Sequence, residues 1–147
     1  MSSEDVPPGP ILVDTDVFSA ILWNKDGREV FEALLHGRVL CLSFATVGEL
    51  RAGALKAKAP WGPDRTAKLE GFISLFVVLP STDLVVHRWA ALYARFRDQL
   101  KGGGVNDMWT AACSLAQEQP LPIATLNLSD FQTMAKDFPF PLVHPDI

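Results

Sequence analysis

The stretch Ile11-Leu12-Val13-Asp14-Thr15-Asp16 decides the fold class of this chain. It begins with a short uninterrupted apolar run that ends at an acidic residue, which is typical of a strand buried on both faces of a parallel sheet. Similar short apolar runs recur along the chain and predict further strands at 39–42, 76–79, 122–125 and 141–143. The sequence therefore predicts a parallel sheet of about five strands.

Helical patterns separate these predicted strands. Apolar residues recur at helical spacing between turn and capping residues in the segments 17–23, 28–36, 45–58, 65–75, 83–100 and 107–118. We expect Asp83 and Asn106 to cap the last two helices, and the glycine run at 102–104 to end the helix before it. Strands that alternate with helices predict an α/β fold of three layers, with helices on both faces of the sheet.

Length and composition bound the class of protein. A chain of 147 residues, 48% of them apolar, suffices for one packed domain, which we place at 11–147 after a flexible extension at 1–10. The longest uncharged stretch, 71–82, is too short to cross a bilayer, and the start of the chain does not resemble a secretory signal. The net charge of −4 argues against attachment to nucleic acid by bulk charge.

The cysteines indicate the cellular compartment. Cys41 and Cys113 lie in apolar segments and lack the spacing of zinc ligands. We interpret both as buried thiols, and we therefore expect a reducing, cytoplasmic location.

Acidic and amide residues occur where the predicted strands end. Asp14 and Asp16 follow the first strand, and Glu49 lies on the helix after the second strand. Asp107 opens the helix before the fourth strand, and Asn127 and Asp130 follow that strand. Each one alone is equally explained by helix capping, by the helix dipole, by turn chemistry or by a solvated surface. In a parallel sheet these positions converge on one edge, where several carboxylates destabilise the fold without divalent metal. The pattern therefore indicates a metal centre of the kind that hydrolyses phosphodiesters.

Four stretches of the chain resemble, in order and spacing, the motif blocks of PIN-domain ribonucleases, and most of all those of VapC-type toxins from toxin–antitoxin pairs. They are ILVDTDVFSAIL at 11–22, LSFATVGELRAG at 42–53, VNDMWTAACSLA at 105–116 and IATLNLSDF at 123–131. The resemblance implies a PIN-like domain with endoribonuclease activity that depends on Mg²⁺ or Mn²⁺. It covers nearly the whole chain between its first and last block.

The resemblance also implies which acids are catalytic and bind the metal. The invariant acids of the family fall on Asp14, Glu49 and Asp107. The fourth acidic position falls on Asn127 or on Asp130; we choose Asp130 and expect Asn127 to be a neutral ligand or a substrate contact. We expect metal-activated water to attack phosphorus in line and to leave 5′-phosphate and 3′-hydroxyl ends. Replacement of Asp107 by Asn should abolish cleavage and leave the fold intact.

Further residues and partners follow from the same resemblance. Asp16, Thr15 and Thr125 match auxiliary polar positions around the acids. The chain should form a homodimer and bind a small antitoxin whose C-terminal segment covers the site.

Contacts with RNA require cations around the anionic centre. Arg51 lies on the helix of Glu49, and Arg88 and Arg95 share one face of the long helix, so we assign these three side chains to RNA phosphates. For any one of them, a solvated helix surface is the commoner explanation. Trp61 is either an exposed interface anchor or a loop residue folded onto the core.

Two other functions compete with the ribonuclease. A haloacid-dehalogenase-type phosphatase would use Asp14 as nucleophile and Asp16 as acid, with Ser43 binding phosphate, but it leaves Glu49 and Asp107 without roles. A catalytically inert PIN-like domain would serve only as a binding module. Such a module has no reason to keep a complete set of acids.

Overall fold

The computed structural model describes residues 2–56, 58–100 and 105–147. In this part of the chain the strands are β1 (Ile11–Val13), β2 (Leu40–Ser43), β3 (Val77–Leu79), β4 (Ile123–Ala124) and β5 (Leu142–Val143). They form a five-stranded sheet in the order β3-β2-β1-β4-β5, and every neighbouring pair is parallel. This architecture confirms the predicted α/β class with a parallel sheet.

The helices connect successive strands of the sheet. Their bounds are α1 (Thr15–Leu22), α2 (Arg28–Leu35), α3 (Phe44–Ala54), α4 (Pro63–Ile73), α5 (Asp83–Phe96), α6 (Val105–Leu115) and α7 (Leu128–Ala135). The sequence patterns did not predict α7, because Asn127 and Asp130 were read as turn and capping residues. The helix forms because Phe131 and Met134, at helical spacing, are both fully buried against the sheet.

Two apolar cores pack on opposite faces of the sheet, as the three-layer prediction requires. Ile11 and Val13 belong to one core, whereas Leu12 between them belongs to the other. Successive side chains of a strand point to opposite faces, so β1 is covered on both. The first core contains Phe18 from α1, and the second contains Met108 from α6.

Several helix boundaries differ from the predictions for local reasons. The helix predicted at 45–58 ends at Ala54, whose carbonyl accepts a hydrogen bond of 3.0 Å from the backbone N–H of Trp61. The helix predicted to reach Leu100 ends at Phe96, and the turn that follows still buries Leu100. Its N-cap is Thr82 rather than Asp83, because the Thr82 side chain accepts the hydrogen bond from the first turn. The predicted stop at 102–104 lies outside the described residues.

The segment before β1 contacts the end of the chain. Ser3 donates its hydroxyl to the carbonyl of His144 at 2.6 Å, and its backbone N–H donates to the carbonyl of Ile147 at 3.0 Å. Val6 is 4% exposed and joins the core of Phe18. The boundary at residue 10 between an extension and the domain stays a prediction, and these contacts link its two sides.

Cys41 and Cys113 are buried free thiols, as predicted. None of the helices in the described ranges has the length and hydropathy that a membrane span needs.

Candidate active site

The predicted acids meet where parallel strands end. Asp14 follows β1 directly, Glu49 lies on α3 after β2, and Asp107 lies in the first turn of α6. Among the described residues, these three side chains line one cavity of about 200 Å³ together with Thr15, Asp16 and Asn127. The prediction that distant acids share one pocket is thereby confirmed for Asp14, Glu49 and Asp107. We call this cavity the acidic pocket.

Asp14 is the most buried acid of the acidic pocket. It is 5% exposed and caps α1, because its Oδ1 accepts a hydrogen bond of 2.9 Å from the backbone N–H of Thr15. Its Oδ2 accepts a second bond of 2.9 Å from the hydroxyl of Thr125, which follows β4. The carboxylate thus holds the ends of β1 and β4 together.

Asp16, predicted to be an auxiliary residue, connects two segments of the site. Its Oδ1 accepts hydrogen bonds from the backbone N–H groups of Val17 at 2.7 Å and Leu126 at 3.2 Å. It therefore joins the first turn of α1 to the loop after β4. Its side chain is part of the lining of the acidic pocket.

Asn127 stands between two carboxylates. Its Nδ2 donates to Oδ2 of Asp107 at 2.7 Å and to Oδ2 of Asp130 at 3.1 Å. Asp130, which the sequence analysis placed among the metal ligands, is 4% exposed in the first turn of α7 and lies behind Asn127 rather than in the pocket lining. The structure thus brings Asn127, and not Asp130, to the surface of the pocket.

Glu49 has a partner that the sequence patterns did not predict. The side-chain amide of Asn106 donates a hydrogen bond to Oε2 of Glu49. Asn106 was predicted to cap α6, but it lies inside that helix, one residue before Asp107. Because Asn106 and Glu49 lie far apart in the chain, no local sequence signal reveals this contact.

A set of buried hydroxyls lies beneath the acidic pocket. Ser43 caps α3 by accepting a hydrogen bond of 3.0 Å from the backbone N–H of Thr46. The Thr15 hydroxyl donates to that of Thr46 at 3.2 Å, which connects the starts of α1 and α3. Sequence reasoning missed Thr46, although its place three residues after a serine at a strand end is a signal for a capped helix.

The electrostatics of the site follow from burial and from mutual repulsion. Burial, followed by the charges of Asp16 and Asp107, raises the pKa of Asp14 to about 8. Burial also raises the pKa of Asp107 to about 6. The hydrogen bond from Asn127 lowers this pKa, whereas the negative charge of Asp16 raises it further. Burial is also the main cause that raises the pKa of Asp16. The pocket thus holds several acids whose charged forms are disfavoured by burial and by one another.

The donor set of the pocket fits a hard divalent cation. Carboxylate and amide oxygens are the ligands that Mg²⁺ and Mn²⁺ prefer. Within the described residues, however, no group of three Asp, Glu, His or Cys side chains has the spacing that would hold a metal ion. The raised pKa values of Asp14 and Asp107 indicate that a cation in the pocket would relieve the repulsion between the carboxylates.

The cationic side chains assigned to RNA do not gather at the acidic pocket. Arg51 pairs with Glu70 of α4, its Nε lying 2.8 Å from Oε1. Arg95 pairs with Asp137 at 3.1 Å. Arg88 lines a separate cavity beside Leu115, at the end of α6 remote from Asp107. Contact of these three arginines with RNA stays a prediction.

Trp61 packs onto the protein instead of standing free. Its ring meets that of Trp23 edge-on at 5.3 Å, and it contacts the core of Phe18. The guanidinium of Arg65 lies 4.0 Å above the Trp61 ring. Of the two alternatives for Trp61, the folded one is confirmed.

Comparison with known proteins identifies the family. A model of the PIN domain matches residues 11–132. Ribonuclease VapC4 of Mycobacterium tuberculosis is 30% identical over 105 residues, which are 71% of this chain and 78% of that protein.

Two solved structures extend the comparison. VapBC-5 of Mycobacterium tuberculosis, a member of the VapBC family of toxin–antitoxin systems, has a chain that is 25% identical with a TM-score of 0.65, over 93% of this chain and 99% of that one. FitAcB of Neisseria gonorrhoeae has a chain that is 26% identical, with a TM-score of 0.68. This match covers 92% of this chain and 97% of that one. Both matches run nearly the full length of each chain. The protein therefore belongs to the PIN-domain family.

Proposed function

We propose that the protein is an endoribonuclease toxin that depends on Mg²⁺ or Mn²⁺ and is inhibited by a cognate antitoxin. One observation carries the proposal: Asp14, Asp16, Glu49 and Asp107 line a single pocket, and burial there raises the pKa of Asp14 to about 8. Carboxyl groups with raised pKa values that line one cleft mark a candidate functional site. The relative named Ribonuclease VapC4 supports RNA as the substrate class.

The proposal gives each residue of the site a role. Asp14, Glu49 and Asp107 would hold the metal, with Asp16 beside them as a further carboxylate. When bound, the ion supplies the positive charge that lowers the pKa of a water nucleophile and stabilises the leaving oxygen. Asn127 orients Asp107 through the 2.7 Å hydrogen bond from its amide. Asp130 in turn anchors Asn127 from behind and acts as a positioning residue.

The proposed partners follow from the relatives. VapBC-5 is a member of a family of toxin–antitoxin systems, which supports a cognate antitoxin for this chain. We propose that a segment of this antitoxin covers the acidic pocket, and that the toxin acts in the cytoplasm as a homodimer. The buried free thiols Cys41 and Cys113 are consistent with a reducing compartment.

The phosphatase alternative does not fit this chain. Ser43, which would have to bind phosphate, is completely buried and caps α3. Glu49 and Asp107, which have no role in that mechanism, line the same pocket as Asp14. The PIN-domain match along most of the chain excludes that family.

The proposed function is tested by Asp107→Asn. This change keeps the shape of the side chain but removes a charge from the pocket, so we expect cleavage of a mixed-sequence single-stranded RNA in Mg²⁺ to fall by at least ~10³-fold. Asp98→Asn makes the same chemical change at an exposed position and should cleave like the wild type. Cleavage by purified Asp107→Asn at the wild-type rate would refute the proposal.

A further inference from the structure

Two tryptophans and two cationic side chains form one cluster near the end of α1 and the start of α4. The guanidinium carbon of Arg65 lies 4.0 Å from the centre of the Trp61 ring and 4.8 Å from that of Trp23. The ammonium of Lys68 lies 5.2 Å from the centre of the Trp23 ring. We call these four residues the tryptophan cluster.

The two cations of the tryptophan cluster differ from most arginines of this chain in having no acidic partner. Four arginines pair with a carboxylate; they are Arg28, Arg51, Arg95 and Arg97. In the described part of the chain no ion pair includes Arg65 or Lys68, and both residues are exposed. Their positive charges are therefore available to an anionic ligand.

The segment that carries most of the tryptophan cluster is positive, although the chain as a whole is negative. Residues 55–69 contain four Lys or Arg and one Asp, which gives a net charge of +3, whereas the whole chain has −4. The lining of the acidic pocket, as far as it is described, includes no Lys or Arg. An RNA substrate at that pocket therefore needs a positive surface elsewhere on the protein to hold its phosphates.

We propose that the tryptophan cluster is a binding subsite for single-stranded RNA, in which Arg65 stacks on a base and Lys68 contacts a phosphate. The inference rests on the proposed ribonuclease function and deepens it by naming where the substrate is held outside the acidic pocket. Bases of single-stranded RNA stack on aromatic rings and on guanidinium planes, and basic side chains follow the phosphates. Trp61 contacts Arg65 on one side, and the exposed remainder of its guanidinium is left for a base.

The tryptophan cluster and the acidic pocket lie at opposite ends of one short helix. Asp14, which lines the pocket, caps the start of α1, and Trp23 caps its end. The eight residues of α1 rise ~12 Å. A stacked strand advances ~3.4 Å with each nucleotide, so about four nucleotides span this length. One RNA strand can therefore contact both sites.

An acidic protein segment is the competing ligand for the same charges. Its carboxylates would pair with Arg65 and Lys68, but an acidic side chain has no flat face to stack on a guanidinium or an indole. Every base has such a face, and stacking of this kind does not depend on the base sequence. The combination of cations with aromatic rings therefore favours RNA.

The test measures the affinity of the protein for a fluorescent, mixed-sequence, single-stranded RNA of twelve nucleotides by fluorescence anisotropy in EDTA. We expect Arg65→Gln to raise the dissociation constant by at least ~10-fold, because a stacking contact is lost together with a charge. Arg97→Gln is the matched control. Its guanidinium also lies over an aromatic ring, that of Tyr93 at 5.9 Å, but it pairs with Asp98, so this variant should bind RNA like the wild type.

Two further variants separate the phosphate contact from the stacking. Lys68→Gln should reduce the slope of log affinity against log salt by about 0.7, which is the effect of one lost phosphate contact on a single strand. Trp61→Leu should weaken binding and leave this slope unchanged, because it removes a ring and no charge. Circular dichroism checks that Trp61→Leu folds, whereas Arg65 and Lys68 are exposed and their variants test the subsite without it.

Other outcomes overturn the inference. A wild type that does not bind the RNA refutes it, and so do unchanged dissociation constants in Arg65→Gln and Lys68→Gln. If a twelve-residue polyglutamate peptide binds the wild type more tightly than the RNA does and loses this affinity in Arg65→Gln, the cluster binds acidic protein instead. A wild type that binds RNA through the cluster but does not cleave it in Mg²⁺ contradicts the proposed function alone, so the two failures are distinguishable.

Discussion

At the residue scale, Asp14 shows how the site opposes the stability of the protein. The proposed binding of a metal ion requires this carboxyl group as an anion, yet burial and the charges of Asp16 and Asp107 raise its pKa to about 8. At neutral pH without metal, most Asp14 side chains therefore carry a proton. The same residue caps α1 and accepts the Thr125 hydroxyl, so its position is fixed whether or not it is charged.

A dependence of stability on pH follows. An acid whose pKa is higher in the folded than in the unfolded chain stabilises the folded state at low pH, where it is protonated in both states. This stability is lost as the pH rises from the unfolded pKa to the folded pKa. For Asp14 these two pKa values are 3.8 and about 8. In EDTA we expect the free energy of unfolding to fall by a few kcal/mol between about pH 5 and about pH 8. Urea titrations at a series of pH values measure this free energy. Asp14→Asn should flatten this fall and Asp98→Asn should not; a fall of wild-type size in Asp14→Asn contradicts the assignment.

The amide of Asn127 is the second feature at this scale. Both protons of its Nδ2 are engaged by carboxylates, so Asn127→Ala frees Asp107 to turn away from the pocket. We expect kcat/KM for RNA to fall by roughly 10–100-fold, as is usual when a residue that orients a metal ligand is removed. Gln99→Ala removes an exposed amide and serves as the control. Wild-type kinetics in Asn127→Ala would show that Asp107 needs no such support.

At the scale of elements, the start of α3 connects helix capping with the site. Ser43 caps the helix that carries Glu49, and Thr46 in its first turn accepts a hydrogen bond from Thr15. Ser43→Ala should cost about 1 kcal/mol of stability. It should also lower RNA cleavage, because the first turn of α3 loses its anchor.

Thr82→Ala is the control for this prediction. Thr82 caps α5 through the N–H of Val85 at 3.2 Å, so its loss should cost a similar free energy. The acidic pocket should be unaffected, since α5 contributes none of the lining residues among the described part of the chain. Denaturant titrations and RNA cleavage assays on Ser43→Ala and Thr82→Ala test this prediction. An equal loss of activity in both variants would mean that the loss of stability alone lowers cleavage.

The same elements show how far the sequence predicts the site. Asp14, Glu49 and Asp107 were predicted correctly to share a pocket, because parallel strands direct the residues after them to one edge. Asp130 was chosen over Asn127 as the fourth acidic position because it is the residue of the two that carries a carboxylate. Without α7 in the prediction, nothing indicated that Asp130 is turned inward behind Asn127.

Long-range contacts were beyond the sequence patterns for a physical reason. Local periodicity predicts which face of a helix is buried, but it does not say which partner a polar side chain meets there. The hydrogen bond from Asn106 to Glu49 joins α6 to α3, and that from Thr125 to Asp14 joins the ends of two strands. Such pairs become visible only when the sheet order is known.

At the scale of the whole molecule, metal binding and folding are expected to be linked. The acidic pocket takes its lining from α1, α3, α6 and the loop after β4, so only the folded chain offers it. Mn²⁺ at ~100 times its dissociation constant should add about 2.7 kcal/mol to the free energy of unfolding. Thermal unfolding with and without Mn²⁺ measures this, and Asp107→Asn should show a much smaller shift. A wild type that Mn²⁺ does not stabilise would favour the inert binding module.

The pairing of β4 with the central strand β1 has a consequence for synthesis on the ribosome. β4 lies beside β1 although most of the chain separates them, and Asn127 and the Thr125 partner of Asp14 come directly after it. A nascent chain that has emerged only as far as α6 already carries Asp14, Glu49 and Asp107 but lacks β4 and the hydrogen bonds from Thr125 to Asp14 and from Asn127 to Asp107. Translation products cut short before β4 should therefore lack the proposed ribonuclease activity, which would arise only after β4 has been made.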